Sequence, residues 1–148
     1  MLNIIEADQY HLFKDDPVRP HLSQNFRTSL GREAFVLVGT DAQPRAVICC
    51  AYTTQVPTTQ QELDLFSQAA AAEGGRGHIA IFYTVWSYTA GAGRDIVFAA
   101  RDFCRDTRGC TRFVTLSPLT KMAEKFHIRN GAHLVDRYDL CQNFEYPA

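Results

Sequence analysis

Residues 78–95 read His78-Ile-Ala-Ile-Phe-Tyr-Thr-Val-Trp-Ser-Tyr-Thr-Ala-Gly-Ala-Gly-Arg-Asp95. The first nine are rich in β-branched and aromatic side chains, which favours a strong β-strand. Gly91 and Gly93 then mark a tight turn. An amphipathic pattern follows, and its apolar face holds Ile96, Ala99, Ala100 and Phe103. We therefore predict a strand, a glycine-rich turn and a helix over residues 94–106.

A second strand–helix pair is predicted toward the C-terminus. The apolar run 113–116 indicates a buried strand. Ser117-Pro118 follows, and proline suits the first turn of a helix because it has no N–H group to lose. Asn130-Gly131 is a typical helix end, so the helix is predicted over 118–129 and carries His127 near its end.

The remaining pattern completes a mixed α/β sheet. Further elements are predicted as a strand at 2–6, a hairpin at 34–39 and 46–53, a helix starting near Thr58, and strands near 133–139 and 141–146. We expect helix 94–106 to cross over between parallel strands that end near Trp86 and begin near Arg112. No repeat or long linker divides the chain, so residues 1–148 are predicted to be one α/β domain with a mostly antiparallel sheet flanked by helices.

Composition limits the classes of partner. The 148 residues carry 15 Lys and Arg against 16 Asp and Glu, without a basic tract, which argues against nucleic acid. No apolar run approaches the roughly 20 residues that span a bilayer. The first residues lack a basic region, so we expect neither a membrane partner nor a signal peptide.

The five cysteines indicate a reducing compartment. Their number is odd, and no Cys-x-x-Cys spacing occurs. Cys49 and Cys50 are neighbours on a predicted strand, so their side chains point to opposite faces of the sheet. We expect free thiols, a cytoplasmic protein and no metal site, since no Cys/His pair has ligand spacing on one element.

The turn around Gly91 and Gly93 is a candidate phosphate site. Backbone N–H groups at such a turn, together with the dipole of the following helix, attract phosphate. Glycine leaves room for a pyrophosphate to approach the backbone. A glycine-rich turn between a strand and a helix can equally be structural, and the residues alone leave both interpretations open.

In this segment the chain resembles the GCN5-related N-acetyltransferases. That family holds the coenzyme A (CoA) pyrophosphate on a Q/R-x-x-G-x-G/A turn, and Tyr88-x-x-Gly91-x-Gly93 matches its two glycines but not its first position. The later segment from Phe126 to Gly131 also matches. The resemblance implies a single acetyltransferase-like domain that uses a CoA thioester, acetyl-CoA or malonyl-CoA, and no metal. It implies a CoA site formed by Val85, Ser87, Tyr88, Gly91, Ala92, Gly93 and Arg94.

A narrower resemblance links the chain to the catalytic C-terminal domain of malonyl-CoA decarboxylases. The matching segments are 44–57, 81–85 with Gly91, 113–118 and 126–132. That family's catalytic serine and histidine correspond to Ser117 and His127 here. Nine residues separate the two, where the family has a long insertion, and Cys49 stands where the resemblance leads us to expect a glutamate.

Three functions are left open by this resemblance. The first is a lyase that decarboxylates malonyl-CoA or a malonyl carrier protein, with Ser117 as a hydrogen-bond donor and His127 as a proton donor. The second is an acyltransferase that moves an acyl group from CoA to an amine, with His127 protonating the thiolate. The third is a non-catalytic acyl-CoA-binding module. A small-molecule acyl-CoA is the expected partner in each case. Whether an acyl carrier protein also binds, and whether the chain forms an oligomer, are left open.

Each candidate catalytic residue also has a purely structural interpretation. Ser117 can cap the predicted helix, which is worth about 1 kcal/mol, and His127 can favour the dipole at the helix end. The predicted helix places its two ends roughly 16 Å apart at 1.5 Å per residue. The two side chains can therefore share a substrate only if the helix is shorter, bends, or ends before His127.

Overall fold

The structure is a computed structural model that describes residues 1–148. Eight strands form one sheet: β1 (Leu2–Ile4), β2 (Arg32–Val38), β3 (Pro44–Thr53), β4 (Ile79–Ser87), β5 (Arg112–Thr115), β6 (Ser117–Pro118), β7 (His133–Arg137) and β8 (Cys141–Tyr146). The helices are α1 (Gln24–Thr28), α2 (Gln60–Ala72), α3 (Ala92–Arg108) and α4 (Lys121–Arg129), and a 3₁₀ segment spans Ala7–Asp15. None of the helices combines the length and the apolar composition that a membrane-spanning helix needs.

The strands are arranged in the order β1-β2-β3-β4-β5-β8-β6, and β7 also pairs with β8. Every pair is antiparallel except β4 with β5. Parallel neighbours need a crossover connection, and α3 makes it. The predicted α/β class, the mostly antiparallel sheet and the crossover helix are confirmed.

Two apolar clusters cover opposite faces of the sheet, because successive strand residues alternate in direction. Ile48 and Cys50 belong to the cluster that α3 covers. Val47 and Cys49 belong to the other cluster, which includes Leu63 of α2 and part of the 3₁₀ segment. The expected opposite orientation of the two neighbouring cysteines is confirmed, and all five cysteines are free and buried.

A β-bulge interrupts β4 at Tyr83. Cys49 pairs with Thr84 and the next residue, Cys50, pairs with Phe82, so Tyr83 has no partner on β3. Such an extra residue bends a strand and increases its twist. The bend falls at the point where β4 leaves its other neighbour.

The sheet splits between β4 and β5 beyond Phe82. The last bond between them is donated by Leu116 N to Phe82 O at 3.1 Å. The chain then turns away from β4, because Ser117 and Pro118 pair with β8 instead. Residues 83–87 of β4 are left without a strand neighbour on this side, and a cleft opens there.

The helix predicted to start at Pro118 begins later. Ser117 and Pro118 form β6, and α4 starts at Lys121 with Thr120 as its N-cap. The Thr120 Oγ1 atom accepts a hydrogen bond from Ala123 N at 3.1 Å. The interpretation of Ser117 as a helix cap is therefore wrong, because pairing with β8 outweighs the local preference of proline for a first helical turn.

Candidate active site

The split in the sheet forms a cleft of about 390 Å³. β4 and the first two turns of α3 line one side, and β6 and α4 line the other. The lining residues are Pro17, Val18, Phe82, Tyr83, Thr84, Val85, Trp86, Ser87, Gly93, Val97, Ser117, Pro118, Thr120, Met122, Ala123, Phe126 and His127. None is an Asp, Glu, Lys or Arg, so the cleft contains no ionised side chain at neutral pH unless His127 is protonated.

Ser117 lies on the β6 side of the cleft and is buried. Its Oγ atom is 2.8 Å from Oγ1 of Thr115. The same Thr115 oxygen accepts a hydrogen bond from Phe144 N at 3.1 Å. When Thr115 donates its own proton to Ser117, the Ser117 O–H group is free to donate to a molecule in the cleft.

His127 lies in the last turn of α4 and is only 6% exposed. Its Nδ1 atom is 2.7 Å from Oη of Tyr146. The ring stacks on Phe144, with centroids 5.4 Å apart, and meets the edge of Phe126 at 5.0 Å. Burial lowers the pKa of His127 to about 4, so the imidazole is neutral at neutral pH.

Ser117 and His127 line the same cleft. The 16 Å separation inferred from the sequence does not apply, because Ser117 is not at the head of α4. Strand β8 ties both residues to one scaffold: Gln142 pairs with Ser117 at one end, and Tyr146 bonds His127 at the other.

The predicted phosphate turn lies at the start of α3. Gly91 is its N-cap and has a φ of +79°, a left-handed conformation that glycine adopts without strain. The N–H groups of Gly93 and Arg94 have no backbone partner, so they are available at the positive end of the helix. A Cβ atom on Gly93 would lie 3.3 Å from Phe126 Cε1, so this glycine also lets α3 and α4 approach each other.

Val85 and Ser87 line the cleft through β4. Tyr88 N donates to Arg45 O of β3 at 2.7 Å. Because alternate residues of a strand bond to the same neighbour, Trp86 also bonds toward β3. The N–H and C=O groups of Val85 and Ser87 therefore point away from β3, toward the split. An extended ligand with amide groups can add to this free edge as a strand does.

Four of the seven residues predicted for the CoA site lie outside the cleft lining. Tyr88 Oη donates to Asp15 Oδ2 at 2.7 Å and accepts from Trp86 Nε1 at 3.0 Å, so it ties β4 to the 3₁₀ segment. The others are the exposed Gly91 and Arg94 and the fully buried Ala92.

Sequence reasoning missed a buried ion pair behind the cleft. Asp16 Oδ2 accepts from a terminal nitrogen of Arg27 at 2.8 Å, and both side chains are fully buried. Asp16 Oδ1 accepts from Thr84 Oγ1 at 2.9 Å and from the backbone N–H groups of Val18 and Arg19. This pair holds the segment 16–19 against β4, and the segment brings Pro17 and Val18 to the cleft wall.

Arg27 of this ion pair also contacts Cys49, the residue that stands where the resemblance leads us to expect a glutamate. Arg27 donates to the carbonyls of Leu22 and Arg19 and lies 3.6 Å from Cys49 Sγ. Burial raises the pKa of the Cys49 thiol to about 11, so it stays protonated at neutral pH. Arg19 donates to the carbonyl of the bulged residue, Tyr83. The proline-bounded segment Pro17-Val-Arg-Pro20 was the one sequence signal of a fixed loop here.

No family model and no curated protein sequence matches the chain. Its likeness to solved structures extends over nearly the whole chain. GCN5 from Tetrahymena superposes with a TM-score of 0.61 over 99% of this chain and 94% of that chain, at 11% identity. The chain has the fold of the GCN5-related acetyltransferases. The aminoglycoside antibiotic 6'-N-acetyltransferase from Acinetobacter baumannii matches with a TM-score of 0.63 at 14% identity, over 94% of each chain.

Malonyl-CoA decarboxylases share this acetyltransferase fold. The enzyme from Rhodopseudomonas palustris matches with a TM-score of 0.68 over 99% of this chain, at 16% identity. The chain spans 33%, 35% and 59% of the length of three such decarboxylases. The structural neighbours therefore include both decarboxylases and N-acetyltransferases.

Proposed function

We propose that this domain removes CO₂ from a malonyl thioester and leaves an acetyl thioester. One observation carries the proposal: Ser117 and His127, to which the decarboxylase resemblance assigns catalysis, line one cleft that has no other titratable group near neutral pH. A carboxylate placed there loses its water and meets no lysine or arginine side chain. Losing CO₂ relieves that cost, since the negative charge moves from the carboxylate to the thioester oxygen.

The free edge of β4 suits the arm that carries the thioester. A pantetheine arm has two amide groups, and Val85 and Ser87 offer backbone N–H and C=O groups in the split. The free N–H groups of Gly93 and Arg94 suit the pyrophosphate of CoA. In this arrangement the arm runs along β4 and delivers the acyl end to Ser117 and His127.

The reaction needs one hydrogen-bond donor for the enolate oxygen and one proton donor for its carbon. The bond between the carboxylate and Cα breaks, its electron pair forms the enolate of the thioester, and CO₂ leaves. The Ser117 O–H group donates to the enolate oxygen, which disperses its charge. His127 then gives a proton to the carbon, and solvent water returns one to the ring.

The charge of His127 depends on the substrate in this proposal. Its low pKa makes the imidazole neutral in the free protein. A bound carboxylate within about 4–6 Å raises the pKa of a histidine, because the opposite charges attract. Binding of the malonyl group therefore favours uptake of a proton by the ring, and a proton held there is available to the enolate carbon once CO₂ has left.

The test is to incubate the protein with malonyl-CoA and no acceptor, and to measure acetyl-CoA and CO₂. Turnover is expected, and His127→Asn and Ser117→Ala are each expected to lower kcat about 100-fold or more. The matched controls are His133→Asn and Ser29→Ala, which lie outside the cleft. Wild-type kcat in both cleft variants would contradict the proposed roles.

Acyl transfer to an amine is the second candidate. It is supported by the length of the match, because the chain covers 94% of the aminoglycoside acetyltransferase but 33%, 35% and 59% of the three decarboxylases. It is disfavoured by the lining of the cleft, which offers no carboxylate to accept the proton of an ammonium group. Product that forms only when an amine is added would identify a transferase, and binding without any product would identify a binding module.

A further inference from the structure

Helix α4 presents a stripe of cations beside the cleft. Lys121, Lys125 and Arg129 recur every fourth residue, so they lie on one face of the helix. All three are exposed and none makes an ion pair. Glu124 is the one acidic residue of the helix, and it is paired with Arg137 at 3.0 Å.

This arrangement costs the isolated domain stability. Like charges four residues apart on a helix repel each other by a few tenths of a kcal/mol. Lys121 is also the first residue of α4, where the helix dipole disfavours a positive charge. Arg129 lies in the last turn, where the dipole favours a cation, so the dipole opposes the stripe only at Lys121. Residues that break a local rule in this way are typical of functional surfaces.

Exposed apolar side chains accompany the stripe. Met122 is 82% exposed and also lines the cleft, so it stands at the cleft's mouth. Ile128, between Lys125 and Arg129, is 47% exposed, and Leu119, just before the helix, is 42% exposed. Apolar anchors rimmed by charge are the composition of a protein-docking surface.

We infer that α4 docks an acidic protein that carries the acyl group as a thioester on a flexible arm. This inference rests on the proposed function, since it identifies the carrier of the malonyl group. The stripe extends about 12 Å, eight residues at 1.5 Å each, which is wider than one phosphate group. A row of acidic side chains on a partner helix complements the three cations, and its apolar residues cover Met122 and Ile128. The arm then enters the cleft beside Met122.

The experiment compares three malonyl thioesters: malonylated acyl carrier protein, malonyl-CoA and malonyl-pantetheine. The test variant is Lys121→Glu/Lys125→Glu. The control is Arg76→Glu, because Arg76 is an exposed cation without an ion pair and lies just before β4, at the end of that strand away from the cleft. For the carrier protein, kcat/KM is expected to fall about tenfold or more in the double variant, since charge reversal opposes electrostatic docking. For malonyl-pantetheine it should stay within about twofold, and Arg76→Glu should match the wild type with all three substrates.

Two results that point to a different ligand of the stripe would overturn the inference. Loss of activity on malonyl-CoA with the carrier substrate unaffected would assign the cations to the CoA phosphates. Binding to phosphatidylglycerol vesicles that the double variant abolishes, without any binding of carrier protein, would assign the stripe to a lipid surface.

Carrier binding measured by fluorescence anisotropy separates this inference from the proposed function. If no thioester is turned over, wild-type binding that weakens about tenfold in the double variant still supports docking on α4. Absence of carrier binding to the wild type would overturn the inference, even for an active decarboxylase.

Discussion

Two buried polar groups stand on opposite sides of the cleft and are held in opposite ways. The Asp16 carboxylate accepts four hydrogen bonds, one of them from the buried Arg27. His127 has one hydrogen-bond partner, Tyr146, and otherwise meets aromatic rings. One side of the cleft therefore holds a compensated charge, and the other holds a base that burial keeps neutral.

This difference separates a support from a reactive group. A buried ion pair that is hydrogen-bonded to several segments ties those segments together. A histidine with few polar partners responds strongly to a charge brought near it. The Asp16 side fixes the wall of the cleft, and in the proposed function the His127 side supplies the proton.

The largest expected effect comes from removing one partner of the ion pair. Asp16→Leu leaves Arg27 buried and unpaired, so the free energy of unfolding should fall by about 3–5 kcal/mol. The double variant Asp16→Leu/Arg27→Leu should lose less than the sum of the two single changes. Urea denaturation measures all three, and the control is Arg45→Leu, which breaks the exposed pair with Asp95 and should cost less than about 1 kcal/mol. Full additivity in the double variant would show that the two groups do not stabilise each other.

The next effect is a pH dependence of stability that His127 causes. The unfolded histidine takes up a proton near its ordinary pKa of 6.5, while the folded one does so only near pH 4. The unfolded state therefore binds more protons between these values, and stability should fall by up to about 3 kcal/mol as the pH drops from 6.5 to 4. His127→Gln should remove that part of the loss, measured by urea denaturation at each pH, and the exposed His133→Gln should keep it. An unchanged slope in His127→Gln would contradict the buried neutral imidazole.

The smallest effect concerns the two glycines of the turn. Gly91 is constrained by its backbone conformation, and Gly93 is constrained by the space beside Phe126. Gly91→Ala has open space but must adopt a φ of +79°, so it should cost about 1–2 kcal/mol of stability. Gly93→Ala has no such constraint, and its Cβ presses on Phe126 at 3.3 Å. It should cost less than about 1 kcal/mol if the Phe126 ring shifts slightly. Thermal unfolding compares the two variants, and a larger loss for Gly93→Ala would show that the contact between α3 and α4 is rigid.

Most of the fold could be predicted from the sequence, because hydrophobic periodicity and the glycine turn are local signals. The strand at 78–86 and the crossover helix agree with the structure to within two residues at each end. The start of α4 could not be predicted in the same way. Proline favours the first turn of a helix, but Pro118 pairs instead with strand β8, which lies more than 20 residues later in the chain.

The candidate site likewise contains residues that local sequence indicates and contacts that it does not indicate. Ser117 and His127 were identifiable because each lies in a short motif, although the strand pairing that brings them to one cleft is not local. The ion pair of Asp16 and Arg27 joins two irregular segments, and Tyr146 reaches His127 from the last strand. Such contacts depend on the assembled sheet, so no pattern within either segment indicates them.

The split between β4 and β5 also provides a signal that needs no catalytic assay. The amide protons of Val85 and Ser87 point into the split, whereas residues 79–82 of the same strand lie between two strands. In hydrogen–deuterium exchange these two amides should exchange faster than those of the paired part. A thioester arm that bonds to this edge will slow both, whether or not its acyl group is ever cleaved. Exchange at these two alternate positions of β4 therefore measures occupancy of the cleft separately from turnover.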